Sequence, residues 1–161
     1  MNQTLIIVVV LVLVAVIGFF VAKNAQQQKV AAAKALEDGK IFLEENAKKE
    51  GIIVTNSGLQ YEVLREGEGP KPTLSSKVTT HYHGTLADGT VFDSSVKRGQ
   101  PATFPVSGVI RGWQEGIPLM SVGAKYRFYI PQELAYGMRS PSPAIPPGAM
   151  LIFEVELLGF K

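Results

Sequence analysis

This chain has no cysteine among its 161 residues and only two histidines, and its few charges are balanced. The lack of cysteine excludes disulfides, thiolate catalysis and lipid attachment through sulfur. Sixteen Lys and Arg stand against fourteen Asp and Glu and form no basic stripe, so the sequence predicts no nucleic-acid partner. The two histidines, His81 and His83, have no third ligand nearby in the sequence, so we predict no metal site and no cofactor.

Charge is absent from the beginning of the chain. About 19 uncharged, mostly apolar residues run from 4 to 22, which is long enough for a helix to cross the roughly 30 Å hydrocarbon core of a bilayer. A cleaved signal peptide fits less well, because the run is too long, no Lys or Arg precedes it and no clear cleavage site follows it. We therefore predict a transmembrane anchor over residues 1–23 of a single-pass protein of the inner (cell) membrane.

Residues 24–50 are rich in Ala, Gln, Lys and Glu, which predicts a helical linker that ends at Gly51. Gly39 weakens this helix by about 1 kcal/mol relative to Ala. Leu36 and Leu43 are one heptad apart, and two positions are too few to indicate a coiled coil. A solvated spacer is therefore favoured over a dimer seam, and a dimerising scaffold is the weakest alternative.

Residues 51–161 read as strands with one short helix. Apolar and polar residues alternate over 59–63, 124–130 and 151–157, which indicates antiparallel strands with one buried face. A helix near 113–120 would cover that face. The predicted fold class is α+β.

The chain's only tryptophan, Trp113, lies in the segment 109–117 (VIRGWQEGI), between Gly112 and Gly116. A large, rigid indole at the start of a short helix can form a flat apolar floor, and the two glycines would keep side chains from blocking the approach to it. For a tryptophan taken alone, an ordinary core position is the better interpretation.

Three further segments change that interpretation. The strand 78–84 (VTTHYHG) alternates, and the segment 88–95 (DGTVFDSS) begins with a tight-hairpin signal. The third segment consists of a tyrosine between Ala and Gly at 135–137, a proline-stiffened loop at 140–148 and a closing strand at 150–158.

These four segments, in this order and at nearly this spacing, resemble the FK506-binding-protein type of peptidyl-prolyl cis-trans isomerase. The resemblance covers residues 52–161, about two-thirds of the chain. The segments 39–51 and 55–61 are similar to the bacterial subgroup that includes the macrophage infectivity potentiator proteins. The resemblance implies an isomerase domain at 51–161, in which an antiparallel β-sheet wraps around one short α-helix, preceded by the transmembrane helix and the helical linker.

The resemblance implies an enzyme that accelerates rotation about X-Pro peptide bonds in folding proteins, so the expected partners are proline-containing polypeptides and macrolide inhibitors of the FK506 type. An X-Pro bond loses its amide resonance as it rotates, and a dry aromatic pocket favours this less polar state without a nucleophile, metal or proton transfer. The alternative is a membrane-tethered proline-binding chaperone module with little isomerase activity.

Site residues follow from the resemblance one by one. The expected catalytic residues are Tyr82, Asp93 and Tyr136. The expected substrate-binding residues are Phe92, Arg98, Val109, Ile110, Trp113, Ile145 and Phe153. Trp113 would be the floor, Ile110 would offer its backbone N–H to a substrate carbonyl, and Asp93 would be buried and bonded to Tyr82 or Arg98.

The chain departs from the family pattern at the rim of this pocket. Ala102 stands where the better-known members carry a bulky aromatic, the 104–109 loop is shorter by about two residues, and the loop 138–144 lacks a common histidine. These departures leave the macrolide affinity and the chaperone alternative open.

The sequence also leaves open which side of the membrane the carboxyl-terminal domain faces. Lysines follow the apolar run at 23, 29 and 34 and none precedes it, so the positive-inside rule favours a cytoplasmic domain. The family resemblance favours the periplasm.

Overall fold

The computed structural model describes residues 2–161, except for the side chains of residues 4–6. Met1 and those three side chains belong to the predicted anchor 1–23 and lie outside the described residues. The helices are α1 (Gln3–Asn46), α2 (Ser95–Arg98) and α3 (Arg111–Gly116). The strands are β1 (Ile53–Val54), β2 (Gln60–Arg65), β3 (Lys77–Thr85), β4 (Val91–Ser94), β5 (Ala102–Pro105), β6 (Lys125–Ile130) and β7 (Leu151–Phe160).

The strands form one antiparallel sheet in the order β1-β2-β6-β7-β3-β4, and β5 pairs with β3 off this path. The alternation seen in the sequence is confirmed in the two long central strands. In β6, Tyr126 and Phe128 are buried, and in β7 Phe153 and Val155 are buried while Glu154 is partly exposed. The α+β class is therefore as predicted, with the core on one face of the sheet.

The short helix α3 lies directly on β6. A Cβ on Gly112 would be 2.5 Å from Cγ2 of Ile130, and a Cβ on Gly116 would be 2.6 Å from Cε1 of Phe128. Both glycines therefore face the sheet and let the helix approach it closely. The expectation that they keep the approach to Trp113 clear is wrong.

The regions predicted as anchor and linker are joined in one uninterrupted helix over Gln3–Asn46, and its second half packs against the sheet. Ala32, Gly39 and Asn46, spaced by sevens, are buried along one stripe of α1. The Asn46 side-chain amide donates to the Gln60 side-chain oxygen at 3.0 Å. The prediction of a solvated spacer is wrong for this half, because small residues along the stripe let the helix lie against the domain.

The carboxyl end of α1 also differs from expectation. The helix ends at Asn46, and the chain then makes a turn that includes Gly51. This glycine has a φ of +83°, so it serves the turn after the helix rather than ending the helix itself.

Candidate active site

A cavity of about 470 Å³ opens between α3, the inner face of the sheet and the loops that follow β5 and β6. Its wall consists of Tyr82, Asp93, Ala102, Phe104, Gly108, Val109, Ile110, Trp113, Tyr136 and Phe153. Most of the residues predicted for the site therefore line one pocket, although they come from distant parts of the chain.

Trp113 is a rigid, largely apolar surface in this pocket. Its side chain is only 5% exposed, and aromatic rings surround it. Phe153 and Tyr82 meet it edge-on with ring centroids at 4.9 and 5.4 Å, and Phe104 lies at 5.2 Å with a 45° tilt. Such aromatic pairs contribute about 0.5–1.5 kcal/mol each beyond area burial. Within residues 2–161 the indole Nε1 has no hydrogen-bond partner.

Backbone and side-chain bonds at the start of α3 hold the loop that precedes Trp113. The Ile110 carbonyl accepts from the N–H groups of Trp113 and Gln114 at 2.9 and 3.1 Å. The Gln114 side chain turns back and donates to the Val109 carbonyl at 2.8 Å. Sequence reasoning missed Gln114, whose position one residue after the tryptophan gave no distinct signal.

A Tyr–Asp–Arg cluster forms the polar side of the pocket. The Tyr82 hydroxyl donates to Asp93 Oδ2 at 2.6 Å, and the Arg98 guanidinium donates both to Asp93 Oδ1 and to the Tyr82 oxygen, the latter at 2.9 Å. The Asp93 side chain is 43% exposed, so its predicted burial is wrong. It lies at the mouth of the pocket, where water, Tyr82 and Arg98 together stabilise its charge.

Two serines behind this cluster support the backbone. Ser94 caps α2 by accepting a backbone N–H of its first turn at 3.1 Å, and Ser95 accepts the Tyr82 N–H at 2.7 Å. His81 and His83 contact the same two hydroxyls at 3.0 and 2.9 Å. Across the described part of the chain, no three His, Cys, Asp or Glu side chains come together in a group that could hold a metal ion.

The protonation states of the cluster follow from its contacts. Partial desolvation at the pocket mouth raises the pKa of Asp93, but hydrogen bonds from Tyr82 and Arg98 outweigh it and hold that pKa below its ordinary 3.8. Burial, and then the bond to Asp93, raise the pKa of Tyr82 above its ordinary 10.0. Burial and the Asp93 charge also raise the pKa of Tyr136. At neutral pH the pocket therefore presents a carboxylate and two neutral phenols.

These pKa shifts predict that folding stability and kcat/KM stay constant over a wide pH range. At pH values above its ordinary pKa of 3.8, the Asp93 carboxylate stabilises the fold, and this contribution is lost as the pH falls through its lower folded pKa. The contribution of neutral Tyr82 and Tyr136 to folding stability is lost as the pH rises through their raised folded pKa values. We expect kcat/KM for an X-Pro peptide to stay level from about pH 5 to about pH 9. A bell-shaped profile centred within that range would contradict this assignment of charges.

Three predicted site residues lie outside the pocket lining. Phe92 meets the Phe153 ring edge-on at 5.3 Å, Arg98 contacts the pocket through Asp93 and Tyr82, and Ile145 is buried in the core. Phe104 is a lining residue that sequence reasoning missed. The alternation of Ala102 and Phe104 with exposed residues in β5 is the signal that could have identified it.

A second groove, of about 580 Å³, lies between α1 and the sheet. Its lining residues include Leu36, Leu43, Glu37 and Glu133, and no aromatic side chain is among them. It therefore lacks the flat apolar floor that the pocket at Trp113 provides.

Residues 69–158 match the family model of the FKBP-type peptidyl-prolyl cis-trans isomerase. The chain belongs to this family. Residues 12–63 match a second model, described as the domain amino terminal to FKBP-type peptidyl-prolyl isomerase. The FKBP-type match contains every residue of the pocket lining.

Relatives in two bacteria, and one crystal structure, agree with this assignment. The chain is 55% identical over 137 residues to the FKBP-type 22 kDa peptidyl-prolyl cis-trans isomerase of Escherichia coli K12, covering 85% of this chain and 66% of that protein. It is 49% identical over 125 residues to the peptidyl-prolyl cis-trans isomerase Mip of Coxiella burnetii, covering 78% and 54%. The crystal structure of FkpA from Escherichia coli superposes with a TM-score of 0.86 at 37% identity, covering 100% of this chain and 74% of that one. The chain spans about half to two-thirds of the length of these curated relatives.

Proposed function

We propose that this FKBP-type protein is a peptidyl-prolyl cis-trans isomerase that binds the proline ring of its substrate on Trp113. The observation that carries this proposal is the pocket itself: a buried indole floor, aromatic walls from Tyr82, Phe104 and Phe153, and a single polar side at Asp93. A proline ring is compact and apolar and lacks an N–H donor, so it matches a floor of this kind.

The chemistry requires selective stabilisation of the half-rotated bond. The barrier of about 18–20 kcal/mol comes from amide resonance, and the twisted bond is less polar than the planar one, so the apolar walls favour it. Within residues 2–161, no hydrogen bond from the Ile110 N–H is found, and this donor would hold a substrate carbonyl. Tyr136 would donate at the rim, and Asp93 would orient Tyr82. Each 1.4 kcal/mol of selective stabilisation contributes about tenfold in rate.

The test is the rate of cis-trans exchange in a short Leu-Pro peptide, measured by NMR with the full chain in detergent micelles. We expect catalytic amounts of protein to shorten the uncatalysed exchange time, which lies in the range of tens to hundreds of seconds. Unchanged exchange at micromolar folded protein would reject the isomerase. Suppression of aggregation of a partly unfolded protein without any acceleration would favour the chaperone alternative.

The same pocket would bind macrolide inhibitors of the FK506 type. Ala102 and Gly108, which line it together with Trp113, carry little or no side chain. Inhibition of the exchange reaction by such a macrolide supports this part of the proposal. Full activity at saturating inhibitor would reject it.

We further propose the domain division 1–23, 24–50 and 51–161, with residues 4–22 as a single span of the inner (cell) membrane. The segment Ile7–Asn46 of α1 contains an 18-residue window of mean hydropathy 2.6, and none of that window is buried in the protein. Apolar side chains such as Leu11 and Phe19 are more than half exposed, and a bilayer would cover them. The catalytic domain would then remain tied to the membrane surface.

Fractionation and topology experiments test the anchor. The full chain should remain with membranes after alkaline carbonate washing, and a variant lacking residues 4–22 should not. A reporter at the carboxyl terminus that is active on one side only would identify the compartment of the domain. Release of the full chain by the wash would reject the anchor.

A further inference from the structure

The segment between β6 and β7 contains a closed flap beside the pocket, which we define as residues 137–148. Its two ends are joined by the Gly148 N–H, which donates to the Gly137 carbonyl at 2.8 Å. Inside the flap, the Ser140 hydroxyl contacts the carbonyls of Ser142 and Ile145 at 2.7 Å each. The flap is thus braced internally and joined to the rest of the protein through its Gly137–Gly148 neck.

The neck is continuous with the pocket. Tyr136, which lines the pocket, immediately precedes Gly137. Ile145, inside the flap, is buried in the core cluster that also contains Trp113. A displacement of the neck would therefore move the rim tyrosine and unseat Ile145.

Helix α1 holds the neck from the other side. A Cβ on Gly148 would lie 2.8 Å from Cγ of Leu36 and 3.2 Å from the Ala32 carbonyl oxygen. Gly148 also has a φ of +75°, a conformation that glycine adopts without strain. The neck backbone thus rests directly on the Leu36 side chain.

A second contact holds the segment just past the neck. A Cβ on Gly39 would be 3.3 Å from Cγ of Met150, so the residue just before β7 also lies close against α1. Pro146 and Ala149 line a small cleft together with Ala35. The neck and the residues that lead from it into β7 therefore share one face of the helix.

We propose that Leu36 of α1 is a positioning residue for the substrate pocket, acting through the Gly137–Gly148 neck of the flap. This inference rests on the proposed isomerase function. Helix α1 then also completes the active site, because it sets the fraction of molecules in which the pocket rim is already ordered for substrate binding. Without the Leu36 side chain, substrate binding must order the flap. The apparent affinity for substrate then falls in proportion to the fraction of molecules whose flap is already ordered.

The experiment compares two leucine truncations in the full chain in detergent micelles. Leu36→Ala removes the seat of the neck. Leu43→Ala removes the same atoms one heptad further along α1, beside Gln60, whose side-chain amide donates to the Leu43 carbonyl at 2.9 Å. KM and kcat for a Leu-Pro peptide are measured for both, together with hydrogen exchange of the Gly148 amide.

We expect Leu36→Ala to raise KM about threefold to tenfold while kcat changes by less than about twofold. Exchange of the Gly148 amide should accelerate by about tenfold, because its bond to Gly137 opens more often. Leu43→Ala should leave both quantities within about twofold of the wild type, and Leu36→Met should restore them.

Three results would overturn the proposal: an unchanged KM in Leu36→Ala, a KM rise of equal size in Leu43→Ala, or slow Gly148 exchange in the presence of a raised KM. If Leu36→Ala does not fold, Leu36→Val is measured in its place with the same expected direction. If the wild type does not accelerate isomerisation, the proposed function fails separately. The fluorescence of Trp113, titrated with the same peptide, then replaces KM and decides the positioning role.

Discussion

Replacing Trp113 by Leu is expected to lower kcat/KM for a Leu-Pro peptide by roughly tenfold to hundredfold, or about 1.4–2.8 kcal/mol of transition-state stabilisation. The indole floor contacts three aromatic rings with centroids 4.9–5.4 Å away. A leucine leaves the floor smaller and uneven, and it allows water into the space that the twisted peptide bond would occupy. The rate is measured well below the unfolding temperature, because a smaller core residue also lowers stability.

Tyr126→Leu is the matched control for this prediction. Tyr126 is buried to nearly the same extent as Trp113 and stacks on Tyr61 at 5.6 Å, but it does not line the pocket. It should lower the free energy of unfolding while leaving kcat/KM within about twofold. Equal losses of kcat/KM in the two variants would mean that Trp113 acts only through stability.

Gly116→Ala is expected to lower the free energy of unfolding by about 1–3 kcal/mol, despite the better helix propensity of alanine. The added Cβ would lie 2.6 Å from Cε1 and 3.0 Å from Cδ1 of Phe128. Phe128 is completely buried, so neither the ring nor the helix can move away freely. Denaturant unfolding followed by circular dichroism measures the change.

Gly159→Ala provides the control, because a Cβ there meets nothing within 4 Å and should change stability by no more than about 0.5 kcal/mol. Combining Gly116→Ala with Phe128→Leu should cost less than the sum of the two single changes, since the smaller side chain makes room for the methyl group. Additive costs would show that the contact between α3 and β6 is not the cause.

Much of the fold is visible in the sequence because the strands are amphipathic. In β6 and β7 every second residue is apolar. Alternation alone therefore identifies the inward-pointing residues, among them Tyr126, Phe128, Phe153 and Val155. The pocket residues, by contrast, come from segments far apart in the chain. Their proximity could be expected only from the resemblance of four segments to a family.

Other features depend on tertiary packing that local patterns do not encode. The buried stripe of α1, from Ala32 to Asn46, contains small and polar residues, so it does not read as a docking face. The sequence suggests that Gly112 and Gly116 leave space beside the tryptophan. In the structure, the Cβ positions of both glycines point at β6 instead. The exposure of Asp93 depends on where the mouth of the pocket opens.

The most direct test of the account is the indole N–H signal of Trp113, which is unambiguous in an NMR spectrum because the chain has one tryptophan. We predict that a Leu-Pro peptide shifts this signal in a saturable manner, and that the same peptide with alanine in place of proline does not. An indole signal that stays unchanged while the folded protein accelerates X-Pro isomerisation would place the active site elsewhere and contradict the account.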